Sequence, residues 1–300
     1  MSNWQGRCGL VLVLFSAAAT GATFRADTSV VLVGATVVDG HDRLVRGLTR
    51  QDFRLFEDKV EQSIRYFGEE DVPLSLAVVF DTSGSMAGKL PSMRGALRAV
   101  LQTSNPEDEF CLITFADRPE VVVPWTADAA EVQNRVLVKP AHGRTALLDA
   151  IDAGLRQIRQ SHNPRRAIVV FSDGGDNYSR LSARGLSRQL EEADVQLYAI
   201  DTSEPSFPAD RFEERMPQPN LLAELCEGAA GRYFQLSDRR DSERIAERVN
   251  QELRAQYVLG YTPSTQAEDG KFHRLQLKVE RRAGTHLSVR WRHGYRAPSD

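Results

Sequence analysis

The sequence predicts an α/β protein built on a doubly wound, mostly parallel sheet, with β segments flanking it at both ends. Three observations carry this. Between residues 72 and 255, strand-like apolar runs alternate with runs of helical spacing, the rhythm of strand–helix–strand units. Two of the runs, PLSLAVVFD and RRAIVVFSD, are continuously apolar, as strands covered on both faces are, and each gives out on an aspartate. Before and after that span, polar and apolar residues alternate with period two.

The chain opens with Arg7 ahead of GLVLVLFSAAATGA, an uncharged stretch of 14 residues from Gly9 to Ala22. A positive start, a short apolar core and small residues at the cut form the pattern of a secretory signal peptide. The stretch is shorter than the about 20 residues that span a bilayer. Arg25 and Asp27 follow at once, which favours cleavage over a retained anchor. Residues 1–22 are therefore expected to be a signal peptide and the protein to be exported, to the periplasm or the exterior. Arg7 is the only charged residue removed, so the net charge of −3 becomes −4 in the mature chain.

Residues 23–71 read as an N-terminal β segment: SVVLVGATVVDG, then DRLVRGL, then FRLFEDKVEQSIRYF. Phe53 and Leu55 alternate with Arg54 and Phe56, Asp39-Gly40 is a hairpin-type turn, and Thr49 with Asp52 can cap one short helical turn. From residue 72 the pattern changes. After PLSLAVVFD, residues Leu90, Met93, Leu97, Val100 and Leu101 recur at helical spacing, with Pro91 in the first turn, where its missing N–H costs nothing. DEFCLITFAD and EVVVPW are two strands, and TALLDAIDAGLRQIRQ is a helix with Leu147, Leu148, Ile151, Leu155 and Ile158 on one face. RRAIVVFSDGGD is a strand, LSARGLSRQLEEA a helix, QLYAIDTS a strand, and NLLAELCEGAAG a helix closed by Gly231. RYFQL is a last short strand and Asp241 to Ala255 a last helix. The proline-rich, charged segment between Asp201 and Asn220 follows a strand, and so belongs on the face where strand C-termini emerge. Residues 256–300 return to alternation and form a C-terminal β segment, expected to pack with residues 23–71 beside the domain of residues 72–255.

Composition sets limits on function. Hydrophobic residues at 41% and charged residues at 26% are those of a packed globular chain, and the slightly negative charge argues against nucleic acid as a partner. Export permits disulfides, but Cys111 in a strand and Cys226 on an apolar helix face lack the spacing of a zinc site and read as free and buried.

The chemistry concentrates in VVFDTSGSMAGKL, residues 78–90. In a doubly wound sheet, ligands bind beyond the carboxyl ends of the strands, where strand order reverses. Asp81 and Asp173 share one crevice if their strands flank that point. A phosphate loop is excluded: three residues separate Gly84 from Gly88 where four are needed, and Leu90 replaces the hydroxyl after Lys89. A nucleophilic Asp81, as in haloacid-dehalogenase-type phosphatases, lacks the second aspartate two residues on, where Ser83 stands. Thr145 also opens a helix rather than ending a strand, which leaves phosphotransfer a minor alternative. A metal site uses more residues. Asp81, Ser83 and Ser85 form D-x-S-x-S, and Thr145 and Asp173 add a hydroxyl and a carboxylate. All five are hard oxygen donors of the kind Mg2+ or Mn2+ prefers.

FDTSGSM, GRTAL and VVFSDGGDN together resemble the von Willebrand factor A domain and its metal-ion-dependent adhesion site, over about Pro73 to Asn250. The resemblance implies a Rossmann-like fold with Ser83, Ser85 and Thr145 as direct ligands and with Asp81 and Asp173 acting largely through water. It also implies a protein partner whose carboxylate completes the shell. The flanks VRGLTRQDFRLFEDKVEQSIRYFGEEDVPLSLAVVFDTSGSM, LRAQYVLGYTP and HGYRAP resemble the secreted bacterial VWFA-related, Acidobacterial-type group. One departure is Lys59, where that group often has Gly; a turn with positive φ tolerates Lys poorly, so the hairpin tip is expected to differ.

Each residue also has a plainer role. Ser85 or Thr145 can cap a helix, Asp176 and Asn177 can form turns, and His142 is a lone loop histidine. Arg144 can pair with Asp176 or meet an acidic ligand, while Trp125, Trp291 and Tyr295 read as packing residues. The expected function is an exported, non-catalytic binding protein that grips an acidic group through Mg2+ or Mn2+. The alternative is a scaffold or assembly subunit with a structural or empty site. Neither nucleotide nor nucleic acid is an expected partner.

Overall fold

Four short strands come first in the computed structural model: β1 (Val31–Asp39), β2 (Phe53–Glu57), β3 (Val60–Gln62) and β4 (Tyr66–Gly68). Strand β5 (Leu74–Asp81), helix α1 (Leu90–Leu101), and strands β6 (Glu109–Phe115) and β7 (Pro119–Thr126) follow. Helices α2 (Ala129–Leu137) and α3 (Leu147–Ile158), strand β8 (Arg165–Ser172), helix α4 (Ala183–Glu192) and strand β9 (Gln196–Asp201) continue the alternation. Helix α5 (Leu221–Gly228), strand β10 (Arg232–Gln235) and helix α6 (Asp241–Arg254) complete it. The chain ends in β11 (Tyr257–Tyr261), β12 (Phe272–Val279), β13 (Leu287–Trp291) and β14 (Gly294–Arg296). The structure describes residues 30–69, 72–193, 195–202, 220–236, 241–254, 256–263, 269–280 and 286–297. The expected signal peptide at 1–22 and nearly all of the loop at 202–219 lie outside them.

The central sheet runs β10-β9-β8-β5-β6-β7, parallel except for the antiparallel edge strand β7. Burial explains the apolar run of β5: all eight of its residues are buried. Its alternate side chains enter two different cores. Leu76, Val78 and Phe80 pack with Met93 and Leu97 of α1 and Val249 of α6, while Ala77 and Val79 pack with Leu147, Ile151 and Leu155 of α3. Chain order reverses at β5: β6 lies to one side and β8 to the other, both hydrogen-bonded to it in parallel. The carboxyl ends of β5 and β8 therefore open on one crevice, as a doubly wound sheet requires.

Strands from the two ends of the chain pair with one another. One four-stranded sheet runs β13-β1-β11-β4 and another β14-β12-β2-β3. Val33, Val37, Leu55, Tyr257, Leu259 and Leu277 from both sheets share one apolar core. Asp52 accepts hydrogen bonds from the Thr49 backbone N–H and hydroxyl, holding the single 3-10 turn expected there.

Several local features differ from expectation. DRLVRGL contributes one bridge, Val38 to Leu44, rather than a strand. Helix α2 is an addition: Asp128 caps it by accepting from the Ala130 N–H, and Val132 and Val136, four residues apart, bury one face. Lys59 keeps the positive φ of a tight hairpin, +73° after Asp58 at +46°, so the tip retains the turn and carries a lysine in it. Helix α5 is closed by Ala230 at φ +53°, not by Gly231. The Ala230 and Gly231 N–H groups bond back to Glu227 and Cys226. Gly231 serves a different need, since a Cβ there would lie 1.9 Å from the Leu197 carbonyl oxygen. Cys111 and Cys226 are free and buried, and burial pushes both thiols well above their ordinary pKa. No helix among the described residues is long and apolar enough to cross a membrane.

Candidate functional site

The crevice is built where β5 and β8 end. Asp81, the last residue of β5, is fully buried, and both of its oxygens are occupied. Oδ1 accepts from the Ser83 N–H at 2.8 Å and Oδ2 from the Ser172 hydroxyl at 2.7 Å. The first of these bends the chain into a turn that presents Ser83 and Ser85 side by side, with their hydroxyl oxygens 3.1 Å apart. Thr82 fastens the turn from the other side by donating its N–H and hydroxyl to the Phe115 carbonyl at the end of β6.

Asp173, one residue beyond β8, lies near enough to Ser85 for the hydroxyl to lower its pKa. Its Oδ2 also accepts the Lys89 ammonium at 2.9 Å. Lys89 therefore places a protein cation on one of the two crevice carboxylates. The two aspartates respond differently to their surroundings. Burial raises the Asp81 pKa, helped by the nearby Asp173 charge and only partly offset by Ser172 and Ser83. Burial also acts to raise Asp173, but the Lys89 ammonium and the bonds from Ser85 and Gly175 outweigh it and hold that carboxyl below its ordinary value.

Thr145 comes from a third loop, joined to the first by the Gly84 N–H bonding to the Gly143 carbonyl at 3.0 Å and by His142 N–H to Thr82. Gly143 is needed at this junction: its φ is +75°, and a Cβ would sit 2.8 Å from Asp117 Oδ2. Thr145 is buried and does not cap α3. Instead Asn177 Oδ1 accepts the Thr145 N–H at 2.9 Å, and Asp176 Oδ1 accepts the Leu147 N–H at the start of α3. Asp176 and Asn177 thus set Thr145 in place from the β8 side, a role beyond turn formation. The Arg144 guanidinium pairs with neither: it lies over the Tyr178 ring, 4.7 Å from its centroid.

Ser172, Lys89, Asp176 and Asn177 are the site residues that sequence spacing missed. For Ser172 and Asn177 a signal existed, since FSDGGDN packs polar residues directly against the strand end. Direct contacts join Asp81 to Ser83 and Ser83 to Ser85, while Asp173 is held by Lys89. Thr145 is tied to them through backbone bonds. With two carboxylates, one ammonium and paired hydroxyls, the donor set is all oxygen and carries a residual negative charge, which fits a hard divalent cation.

Fold and crevice define a doubly wound α/β domain whose ligand face is lined with oxygen donors at the strand-order reversal. The chain carries a von Willebrand factor type A domain: the model of that family matches residues 76–175. A stretch of 146 residues is 23% identical to the inter-alpha-trypsin inhibitor heavy chain H4 of Bos taurus, covering 43% of this chain and 16% of that protein. The chain thus corresponds to a small part of that relative. Among solved structures, a von Willebrand factor type A protein from Catenulispora acidiphila aligns at a TM-score of 0.51 and 13% identity, over 82% of this chain and 74% of that one. A mutant form of the PilB minor pilin from Streptococcus sanguinis aligns at 0.50 and 10% identity, over 61% and 62% of the two chains. At such identities the likeness is one of fold.

Proposed function

We propose that this is an exported, non-catalytic binding protein that holds Mg2+ or Mn2+ in the Asp81 crevice and uses it to grip an acidic group on a protein partner. The observation that carries this reading is the placement of the Ser83 and Ser85 hydroxyls, 3.1 Å apart, just beyond the end of β5, with Asp173 just beyond the end of the neighbouring β8. Ser83, Ser85 and Thr145 are the proposed direct ligands, with Asp81 and Asp173 behind them. Asp81 suits the rear position, because both of its oxygens are already engaged and it is fully buried. The same burial speaks against Asp81 as a phosphate-attacking nucleophile. A divalent ion bound there supplies a Lewis-acidic point of attachment for a carboxylate. Domains of this class commonly bind a divalent metal and mediate protein–protein contacts, which supports the reading.

One observation favours a second reading, an assembly subunit whose site needs no ion: Lys89 already neutralises Asp173. Capture on the immobilised mature chain separates the two. The adhesion reading expects a partner from the native envelope to be retained in Mg2+, released by chelator, and lost with Ser83→Ala. Retention indifferent to both chelator and Ser83→Ala would establish the assembly reading instead.

A further inference from the structure

A second cluster of metal-ligating side chains lies in the β sandwich, far from the crevice in sequence. It forms where the β2–β3 hairpin tip meets the start of β12. Glu57, Asp58 and His273 each offer a ligand atom, and the three atoms lie within 4.8 Å of one another. His273 Nδ1 is 2.8 Å from Asp58 Oδ2 and 3.4 Å from Glu57 Oε1. We propose that Glu57, Asp58 and His273 form a binding site for a borderline divalent cation of the zinc class.

Four features support a ligand at this cluster, whose histidine is ion-paired to carboxylates in the structure. First, Glu57 is 4% exposed and its carboxylate is only half satisfied: Oε1, the oxygen 3.4 Å from His273 Nδ1, accepts from Tyr295, while Oε2 is buried with no hydrogen bond. Such an atom costs free energy unless something positive meets it. Second, the imidazole is held from behind. Nε2 faces Asp269 Oδ1 at 3.3 Å, and the Tyr295 ring stacks on the His273 ring at a centroid distance of 5.6 Å. Both ring nitrogens face carboxylates, Asp58 at Nδ1 and Asp269 at Nε2; an incoming ion would replace the proton at Nδ1 while Asp269 holds the one at Nε2, the usual support of a metal-bound histidine. Third, the other Glu57 oxygen is oriented by the Tyr295 hydroxyl at 2.8 Å, so the carboxylate is not free to turn away. Fourth, Asp58 is exposed at the hairpin tip and gives an ion a way in, while its Oδ1 is anchored by the Arg274 N–H.

The donor chemistry separates this site from the crevice. One imidazole nitrogen with two carboxylates suits zinc or its cobalt surrogate, whereas hydroxyls with carboxylates suit magnesium. The sandwich brings these residues together through register: Glu57 pairs across with Leu275 in β12, and His273 pairs with Tyr295 in β14. An ion here would pin the hairpin tip to β12 and β14.

Cobalt absorption and zinc calorimetry on the full mature chain test the proposal, run in parallel on wild type and on Ser83→Ala to separate this site from the crevice. One equivalent of Zn2+ is expected in both, with cobalt bands of a nitrogen-containing site. Glu57→Gln and His273→Gln are expected to abolish binding, and Asp269→Asn to weaken it by about 10–100-fold. Asp58→Asn, at an exposed position, provides a variant that keeps the fold, checked by circular dichroism in chelator; it should lose affinity as well. Absence of Zn2+ binding in wild type, or unchanged stoichiometry and affinity in Asp58→Asn and His273→Gln, would overturn the proposal.

Discussion

Two regions of this protein bury carboxylates, and they are built in opposite ways. At the junction of the α/β domain with the sandwich, Glu252 of α6 is fully buried and surrounded by guanidinium groups. Arg290 of β13 lies at 2.7 Å, Arg232 of β10 at 2.9 Å and Arg248 at 3.4 Å. Arg232 and Arg248 reach on to Asp42 in the turn after β1, so the network links four elements. At the crevice, Asp81 is equally buried but meets only hydroxyl and amide donors, and Lys89 sits on Asp173 instead. The junction is closed, with charge matched by arginines of fixed planar geometry. Among the described residues, the crevice is left short of positive charge and its mouth carries the paired hydroxyls of Ser83 and Ser85. On the proposed reading, the first carboxylate serves architecture and the second holds in place the hydroxyls that would meet an ion.

The largest expected effect attacks the closed side. Glu252→Ala leaves three guanidinium groups without their shared carboxylate and should destabilise the fold by about 3–5 kcal/mol, the scale for breaking a buried ion pair from one side. Denaturant titration measures it, and a loss below about 1 kcal/mol would erase the contrast with the crevice. Next comes Lys89→Met, which frees Asp173. Mg2+ affinity should rise by about fivefold, the equivalent of about 1 kcal/mol for a partly exposed ion pair. Calorimetry reads this, and weaker binding would mean that Lys89 helps to organise the site rather than compete for it.

The smallest effect is on the crevice without metal. In chelator, Asp81→Asn should change stability by less than about 1 kcal/mol, because ionised Asp81 is itself held at a cost. Its pH dependence has a definite sign. The folded pKa lies above the ordinary 3.8, so in that window the native state holds a proton that the unfolded chain has released. Stability then falls as pH rises from 3.8 through the folded value, and Asp81→Asn removes that contribution. Thermal melts of the two proteins between about pH 3.5 and 7 compare the slopes; identical slopes would contradict the assignment of Asp81 as a desolvated carboxylate.

Much of the fold was legible because burial leaves a local trace. The unbroken apolar runs of β5 and β8 announce strands covered on both faces, and the aspartates that end them mark the carboxyl edge. Asp81, Ser83 and Ser85 could be read together because one turn holds all three. What escaped was set by contacts distant in sequence. Lys89 and Asp173 are 84 residues apart, and nothing near either residue foretells their pairing. Asp176 looks like any turn former until its carboxylate is seen to cap α3 from across the crevice. His273 sits in FHRLQLKV as an ordinary strand residue, and only the register of β2 against β12 brings Glu57 and Asp58 to it. Helix α2 was lost for a different reason: it is short and lies between strand β7 and helix α3, though the Asp128 cap and the Val132–Val136 spacing were there to be read.

The central claim, that the crevice is a seat for a hard divalent ion, is tested most directly by Mg2+ calorimetry on the mature chain and on the Ser83→Ala/Ser85→Ala double variant. The account predicts one equivalent of Mg2+ in wild type and a loss of at least about tenfold in affinity in the variant, with its circular dichroism and denaturation midpoint unchanged. Equal Mg2+ binding by the two proteins, or none by wild type, would contradict it.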